Sequence, residues 1–219
     1  MDDRVLALCE LSNDLVFQKI PRERLAYYVD ASLAAGRDAA EQFRGRDVGE
    51  VYRERGVEIV YAGSGKSGYG VILRGQSVMS KEGCRVEVYR DSIDQLAAHS
   101  AWEGGALTPE EATQVHLAHE LFHIWEYQEG RSIVQELEPV VSASLLGWKR
   151  KSHVNRCCEV AAHAFAKELL GLPVLPNFYD YLYLIRTGKM SQGSFDGMIE
   201  RMTALRDNAS RKDPCDKEG

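Results

Sequence analysis

The residues best suited to chemistry stand together in the stretch His119-Glu120-Leu121-Phe122-His123. Two histidines four positions apart lie on the same side of a helix, and the H-E-x-x-H spacing allows both to bind one zinc ion. Glu120 lies beside the pair, where its carboxylate can accept a proton from a water molecule. The motif therefore predicts a zinc site built for hydrolysis, with Glu120 as the general base.

A long helix is predicted to carry this motif. Thr108 and Glu111 form a T-x-x-E capping box, Pro109 fits the first helical position, and Gly130 supplies a stop. At about 100° per residue, one side of the helix gathers His116, His119, Glu120, His123 and Tyr127. The opposite side carries an apolar stripe of Ala118, Leu121, Phe122 and Trp125. We expect the helix to bury this stripe and to leave the histidines on its other side.

A catalytic zinc ion needs a third protein ligand besides the two histidines. The segment 157–170 is a strong helix former, and its small alanines would let it approach the first helix closely. Glu159 and His163 share one face of that second helix. An imidazole binds zinc at least as well as a carboxylate, so the residue types alone leave the third ligand open between these two.

The two motifs together resemble the ImmA/IrrE family of zinc metallopeptidases. H-E-L-x-H is followed by E-x-x-A-x-x-F-A-x-x-L-L-x-x-P, which runs through Glu159, Ala162, Phe165, Ala166, Leu169, Leu170 and Pro173. The resemblance covers residues 47–205 and is specific in the two motifs only. Phe122 stands where a glycine usually precedes the second histidine, and His163 stands where an asparagine is usual.

The resemblance implies a gluzincin-like zinc site with His119, His123 and Glu159 as ligands, in a zincin-like domain that cleaves peptide bonds. His163 and Tyr127 then become candidates for stabilising the transition state, with His116 and Arg156 as further donors. The implied partner is a protein or peptide substrate, and several members of the family cleave a transcriptional repressor. A non-catalytic regulatory protein with the same zinc site is the alternative.

An α+β fold is predicted, with a small, mostly antiparallel three-stranded sheet packed on a largely helical body around the central helix. Strands are expected at residues 57–62, 70–74 and 85–90, and further helices at about 3–18, 22–43, 47–55, 91–99 and 133–146. N-terminal helices (1–45) would pack on a metallopeptidase domain (46–206), and 207–219 would form a disordered tail.

Two segments are candidates for contacting a substrate. Residues 85–90 alternate as a half-buried strand and precede the central helix, so a peptide could add to this strand by β-augmentation. The aromatic run Phe178, Tyr179, Tyr181 and Tyr183 could line a side-chain pocket, although packing in the core is the simpler interpretation. The sequence does not indicate an oligomeric state.

Composition and local patterns disfavour several other classes. A formal net charge of -6 argues against a direct nucleic-acid partner. The glycine-rich segment 63–68 is not a P-loop, because Val60 occupies the position of the first glycine. The N-terminal apolar positions are interrupted by Glu10, Asn13 and Asp14, which predicts neither a signal peptide nor a membrane span. An odd number of cysteines, 5, without a C-x-x-C pair fits reduced thiols and a cytoplasmic location.

Overall fold

A computed structural model describes residues 1–63, 73–145 and 148–209. Its helices are α1 (Asp3–Leu11), α2 (Leu25–Glu41), α3 (Val48–Glu54), α4 (Arg90–Ala98), α5 (Pro109–Gln128), α6 (Ile133–Glu136), α7 (Arg156–Leu170), α8 (Asn177–Arg186) and α9 (Gln192–Ala209). Its strands are β1 (Glu58–Ala62), β2 (Gly75–Ser80), β3 (Gly83–Tyr89), β4 (Val140–Leu145) and β5 (Trp148–Ser152). The predicted α+β class, with helices predominating, is confirmed.

The three-stranded sheet is mixed rather than mostly antiparallel. Its strand order is β1-β3-β2, so β3 is central and both of its neighbours are edge strands within the described residues. β2 and β3 form an antiparallel hairpin that closes at Ser80 and Gly83, whereas β1 pairs with β3 in parallel, with Glu58 opposite Arg85. The antiparallel prediction was wrong because β1 joins the sheet beside β3 and not beside β2, its successor in the sequence.

One predicted strand lies at a different place. Residues 70–72 fall outside the described part of the chain, and Leu73 and Arg74 are not in a strand. The second strand is instead β2, whose sequence GQSVMS carries only two apolar residues. Within the described residues, β2 pairs with β3 alone. Its half-buried side chains do not need the apolar run that marks an interior strand.

The predicted helix over 133–146 is also wrong beyond its first turn. α6 ends at Glu136, and the chain then forms β4, which pairs with β5 in an antiparallel hairpin. Pro139 cannot donate a helical hydrogen bond, and the β-branched Val140 and Val141 follow it directly. β5 carries the basic residues Lys149, Arg150 and Lys151, all of them exposed.

Helix α5 lies at the centre of the fold, in contact with α7, α4, α3, β2 and β3. The other side of α7 packs against α2 at very short range: a Cβ atom built on Gly36 would lie 2.1 Å from the carbonyl oxygen of Ala161. The N-terminal helices are therefore part of the same hydrophobic core as the two motif helices. That core extends from Val5 of α1 to Met202 of α9.

Two predicted loop segments, the C-terminal tail and the glycine-rich segment, fall largely outside the described residues. Helix α9 continues through residues 207–209, and the remainder of the predicted tail, 210–219, lies outside the described residues. The same holds for residues 64–68 of the glycine-rich segment. Among the described helices, none combines the length and the apolar character that crossing a bilayer requires.

Candidate metal centre

Helix α5 begins as its sequence predicts. The backbone N–H of Glu111 donates to Thr108 Oγ1 at 3.1 Å, and the N–H of Thr108 donates to Glu111 Oε2 at 2.7 Å, which completes the capping box. Such a cap stabilises a helix by about 1 kcal/mol. Farther along, the buried Tyr52 hydroxyl donates to the carbonyl oxygen of Leu117 at 2.7 Å, two residues before the motif. The first half of α5 is therefore fixed both at its end and at its back.

Helix α7 is held against α5 by aromatic packing. Phe122, which departs from the resembled pattern, is 1% exposed, and its ring centroid lies 5.8 Å from that of Phe165. α7 ends at Gly171, whose φ of 65° is the left-handed conformation that glycine adopts without strain. Phe122 thus fills the space between the two motif helices and does not line the cavity described below.

The two helices bring three potential ligands together. His119 Nε2 lies 3.2 Å from His123 Nε2 and 3.3 Å from Glu159 Oε2, and His123 Nε2 lies 3.8 Å from Glu159 Oε1. Among the described residues, these three form the one cluster of histidine, cysteine or carboxylate side chains compact enough to hold a metal ion. His163 is not part of that cluster, so the geometry favours Glu159 as the third ligand.

The spacing of the three side chains fits a shared metal ion. Two donors at about 2.1 Å from a tetrahedral ion lie about 3.4 Å from each other. The separations of 3.2, 3.3 and 3.8 Å are close to this value without any rearrangement. Two imidazoles and one carboxylate also form a donor set found in catalytic metal sites. The His-His-Glu group could therefore hold a metal ion.

The three side chains strongly perturb each other's protonation. Burial lowers the pKa of His119, but its hydrogen bond with Glu159 and the carboxylate charge outweigh burial and raise it to about 9. Burial raises the pKa of Glu159, and the same hydrogen bond and the charge of His119 reverse this and hold it well below its usual range. Burial and the nearby His119 lower the pKa of His123. Without a metal ion, the pKa directions therefore favour an ion pair between a protonated His119 and an ionised Glu159.

Glu120 reaches the cavity from the same helix but has a different partner. Its carboxylate oxygen Oε2 accepts a hydrogen bond from the hydroxyl of Ser77 on β2. Gly75 lies next to this carboxylate: a Cβ atom built on Gly75 would be in van der Waals contact with Glu120, 3.8 Å from Cγ and 3.9 Å from Oε1. Ser77 therefore holds the Glu120 carboxylate beside β2.

The cluster opens into a cavity of about 390 Å³. Its lining includes His119, Glu159 and Glu120, and also charged side chains from distant parts of the chain: Glu10, Arg74, Arg156 and Asp180. These four form two ion pairs, Arg156 Nη1 with Glu10 Oε1 at 3.0 Å and Arg74 Nη1 with Asp180 Oδ1 at 2.7 Å. The His-His-Glu group thus adjoins a cavity that is lined by charged side chains.

Two histidines outside the cluster line this cavity. Burial and the charge of His119 hold the pKa of His163 well below its usual range, so its ring is neutral. Its ring centroid lies 4.7 Å from that of His119, and its buried Nδ1 has no partner among the described residues. His116 is also neutral, because burial lowers its pKa, and its Nδ1 donates to the carbonyl oxygen of Ala112 at 2.9 Å.

Tyr127 is not brought to the cavity. Its side chain is 48% exposed, its hydroxyl donates to the carbonyl oxygen of Ser80 at 3.4 Å, and it is absent from the lining within the described residues. Of the predicted donors to a transition state, His163, His116 and Arg156 do line the cavity. The ring of His163 packs against that of His119, with 4.7 Å between the two ring centroids.

The structure also places the two segments suggested for substrate contact. β3, which covers nearly all of residues 85–90, is paired on both sides and has no free edge, so the predicted β-augmentation on it is wrong. The aromatic run on α8 is buried in the core, where Tyr181 lies 5.3 Å from the Phe195 ring. Pro176 and Asp180 line the cavity instead.

Sequence reasoning missed the residues that come from far along the chain. Ser77 meets Glu120 across a separation of 43 positions, and nothing in GQSVMS marks this serine as special. Glu10 left a weak signal: it is an acid on a helix whose neighbours Val5 to Cys9 are all buried. A buried acid needs a partner, and Arg156 supplies it.

Comparison of the chain with protein-family models, with curated proteins and with solved structures returned no match. Function must therefore be inferred from the cluster, the cavity and the motif pattern.

Proposed function

We propose that this protein is a zinc-dependent metallopeptidase that hydrolyses peptide bonds. The observation that carries the proposal is the convergence of His119, His123 and Glu159 at ligand distances beside a cavity that also holds the carboxylate of Glu120. Three protein ligands with space next to them are typical of catalytic zinc sites, whereas structural sites are closed by a fourth protein ligand.

The three ligands would hold zinc through two imidazole nitrogens and one carboxylate. When bound, zinc would lower the pKa of a water molecule and polarise the scissile carbonyl as a Lewis acid. Phe122 and Phe165 keep the two ligand helices at their present distance. The ligand positions thus depend on the packing of the core.

Glu120 would act as the general base. Its carboxylate takes a proton from the attacking water, whose oxygen bonds to the carbonyl carbon of the substrate. The same carboxyl group then gives the proton to the amide nitrogen, so that the C–N bond breaks and an amine leaves. Ser77 holds one carboxylate oxygen by its hydrogen bond and leaves the other for this transfer.

His163 would stabilise the negative charge that develops on the carbonyl oxygen. A neutral imidazole offers one N–H donor, and the ring lies beside His119 with its Nδ1 buried and without a partner in the described structure. A donor placed in advance is worth roughly 10²–10³-fold in rate. Arg156 and His116 line the same cavity, but each already makes a hydrogen bond to another group.

The substrate backbone would lie along β2. This strand is at an edge of the sheet, its outer side pairs with no strand of the described residues, and Ser77 and Gly75 on it face Glu120. An extended peptide added to such an edge gains backbone hydrogen bonds. The peptide would thereby pass directly in front of the proposed base.

The resemblance to the ImmA/IrrE family extends the proposal to the class of substrate. A DNA-binding repressor, cut in an exposed linker, is the protein substrate this resemblance suggests, and such a target would place the peptidase in the cytoplasm. The peptidase itself would need no nucleic-acid contact, because its substrate supplies the recognition of DNA. A repressor encoded beside this chain is the first to test.

The proposal is tested by metal analysis and a cleavage assay on the same preparation. We expect about one zinc ion per chain, cleavage of the repressor or of members of a peptide library, loss of cleavage with a chelator, and recovery with zinc. If peptides are cleaved while the repressor stays intact, the repressor is not the substrate, but the peptidase assignment stands. Zinc binding without any hydrolysis would favour the alternative, a non-catalytic zinc-binding regulatory protein.

A further inference from the structure

The hairpin formed by β4 and β5, called the basic hairpin here, carries an unusual set of exposed side chains. Lys149, Arg150 and Lys151 are consecutive and all exposed. Trp148 beside them is 65% exposed, and Val141 on the paired strand is 43% exposed. Because alternate residues of a strand point to opposite faces, exposure of all these neighbours means that both faces of the hairpin meet solvent.

The three cations of the basic hairpin are not used within the fold. In the described part of the chain, no acidic side chain forms an ion pair with Lys149, Arg150 or Lys151. Most other arginines do have acidic partners, as Arg24 does in Glu138 just before β4. The hairpin thus concentrates unpaired positive charge on a chain whose formal net charge is -6.

The base of the basic hairpin is fixed although its outer part is exposed. Val140 is 4% exposed, and the hydroxyl of Ser152 donates to the hydroxyl of Ser142 at 2.7 Å. The Tyr28 hydroxyl donates to the carbonyl oxygen of Glu138 at 2.7 Å, and His153 Nδ1 donates to that of Val134 at 2.7 Å. A two-stranded hairpin is marginally stable alone. These contacts hold it in one position relative to the body.

Exposed apolar residues are also concentrated near this hairpin. β4 contacts the single helical turn Phe17–Lys19, and Leu15, two residues before that turn, is 100% exposed. Tyr27, whose hydroxyl accepts from the backbone N–H of Glu138, is 36% exposed. A surface that combines unpaired cations with an aromatic ring and aliphatic groups fits an acidic partner that also carries apolar side chains.

We propose that the basic hairpin is an exosite that binds an acidic, extended segment of the protein substrate. This proposal rests on the proposed peptidase function and adds a substrate class to it. Lys149, Arg150 and Lys151 would pair with carboxylates of the segment, and Trp148 would cover one of its apolar side chains. β5 spans about 16 Å, which matches about five extended residues.

The distance from the basic hairpin to the metal centre suits this role. Ser152 and Arg156 are four positions apart, and Arg156 and Glu159 are three helical positions apart, so Ser152 and Glu159 lie at most about 19 Å from each other. About six extended residues cover that distance. A substrate with an acidic segment about six residues from its scissile bond would therefore reach both places.

A polypeptide fits this surface better than a nucleic acid or a membrane. Both of those partners present a long array of phosphates, and binding such an array requires positive charge over a large area. Here the positive charge is confined to three neighbouring residues on an acidic chain. A short acidic segment needs no more positive charge than these three residues carry.

The test is binding of a fluorescein-labelled twelve-residue peptide with five glutamates and one phenylalanine, measured by fluorescence anisotropy on the zinc-loaded protein. We expect binding that weakens with salt and is at least about tenfold stronger than that of the same peptide with glutamine for glutamate. The triple variant Lys149→Gln, Arg150→Gln, Lys151→Gln should lose about tenfold in affinity. The matched triple variant Arg37→Gln, Arg53→Gln, Arg201→Gln loses the same charge from exposed helical positions and should bind as the wild type does.

Three results would overturn the exosite. They are no binding of the acidic peptide by the wild type, equal binding by the two triple variants, or tighter binding of a single-stranded oligonucleotide or of phosphatidylserine vesicles through the same three residues. Cleavage of five-residue peptides, which are too short to reach the hairpin, should be the same in wild type and hairpin variant. If the peptidase proposal fails, the wild-type protein will not cleave the five-residue peptides, and this outcome is independent of whether the acidic peptide binds.

Discussion

The two walls of the cavity are built in different ways. The ligand wall consists of α5 and α7, whose ligand side chains are 15% exposed at His119, 17% at His123 and 32% at Glu159, and whose backs are buried in the core. The strand wall consists of β2, an edge strand of intermediate burial that contacts the proposed base through Ser77. Metal binding should therefore depend on core packing, and proton transfer on one side-chain contact. Variants of the two walls should separate zinc affinity from turnover.

The largest effect is expected at the ligand wall itself. Glu159→Gln removes the charge of the proposed third ligand while keeping its shape. Loss of a residue that only hydrogen-bonds to a metal ligand lowers metal affinity by about 10–100-fold, so loss of a ligand should lower zinc affinity by more than about 100-fold. Competition with a chromophoric chelator measures this. Glu168→Gln, an exposed acid on the same helix, should leave the affinity unchanged. Unchanged affinity in Glu159→Gln would transfer the ligand role to another side chain.

The next effect concerns the packing behind the ligand wall. In Gly36→Ala the new methyl group would lie 2.1 Å from the Ala161 carbonyl oxygen and 2.8 Å from Ala164 Cβ, so α2 and α7 must separate. We expect the free energy of unfolding to fall by about 1–3 kcal/mol in urea titration, with weaker zinc binding. The control Gly197→Ala meets only Arg201 Nη1 at 3.5 Å and should stabilise its helix by up to about 1 kcal/mol. Equal stability of the two variants would contradict the close packing.

A smaller and more selective effect is expected at the strand wall. Ser77→Ala removes the hydrogen bond that orients Glu120, and kcat should fall by roughly 10–100-fold while KM, zinc affinity and stability stay constant. Ser77→Thr keeps the hydroxyl and should recover most of the rate. Ser80→Ala on the same strand serves as the control, because its hydroxyl bonds only to the β2–β3 turn. An unchanged kcat in Ser77→Ala would show that Ser77 does not orient Glu120 for catalysis.

The smallest effect is a pH dependence within the sheet, away from the ligands. Hydrogen bonds from Gln76, Tyr89 and Arg85 lower the pKa of Glu87 below its ordinary value of 4.5. The ionised carboxylate therefore stabilises the fold above about pH 4.5, and this contribution is lost as the pH falls through the lowered pKa. Glu87→Gln should lower the stability at pH 7 by no more than about 1 kcal/mol. The difference from the wild type should vanish in acid, and a difference that persists there would contradict the assignment.

The ligand wall was largely predictable from sequence, and the strand wall was not. A capping box and a 3.6-residue apolar pattern predict α5 from sequence, and its two candidate ligands, His119 and His123, are only four positions apart. Glu159 required the motif resemblance, because periodicity left it equivalent to His163. These signals are local, so they remain readable without knowledge of the tertiary structure.

The errors arose where tertiary contacts outweigh local pattern. β4 follows a helical turn and becomes a strand because β5 pairs with it, although Pro139 disfavours a continuous helix. β3 was expected to offer an edge, and β1 covers that edge from an earlier part of the chain. Ser77 contacts Glu120, and Glu10 lines the cavity paired with Arg156, in both cases through partners far away in sequence. A short stretch of sequence does not reveal such long-range contacts.

The most direct test of the central claim is the zinc content and cleavage rate of Glu120→Gln, compared with Glu110→Gln at an exposed position of the same helix. If Glu120 is the base and the neighbouring cluster holds the metal, Glu120→Gln should keep about one zinc ion per chain and the wild-type stability. Its cleavage rate should fall by about 10²–10⁴-fold, while Glu110→Gln cleaves as the wild type does. A zinc-loaded Glu120→Gln protein that cleaves at the wild-type rate would contradict the proposed mechanism.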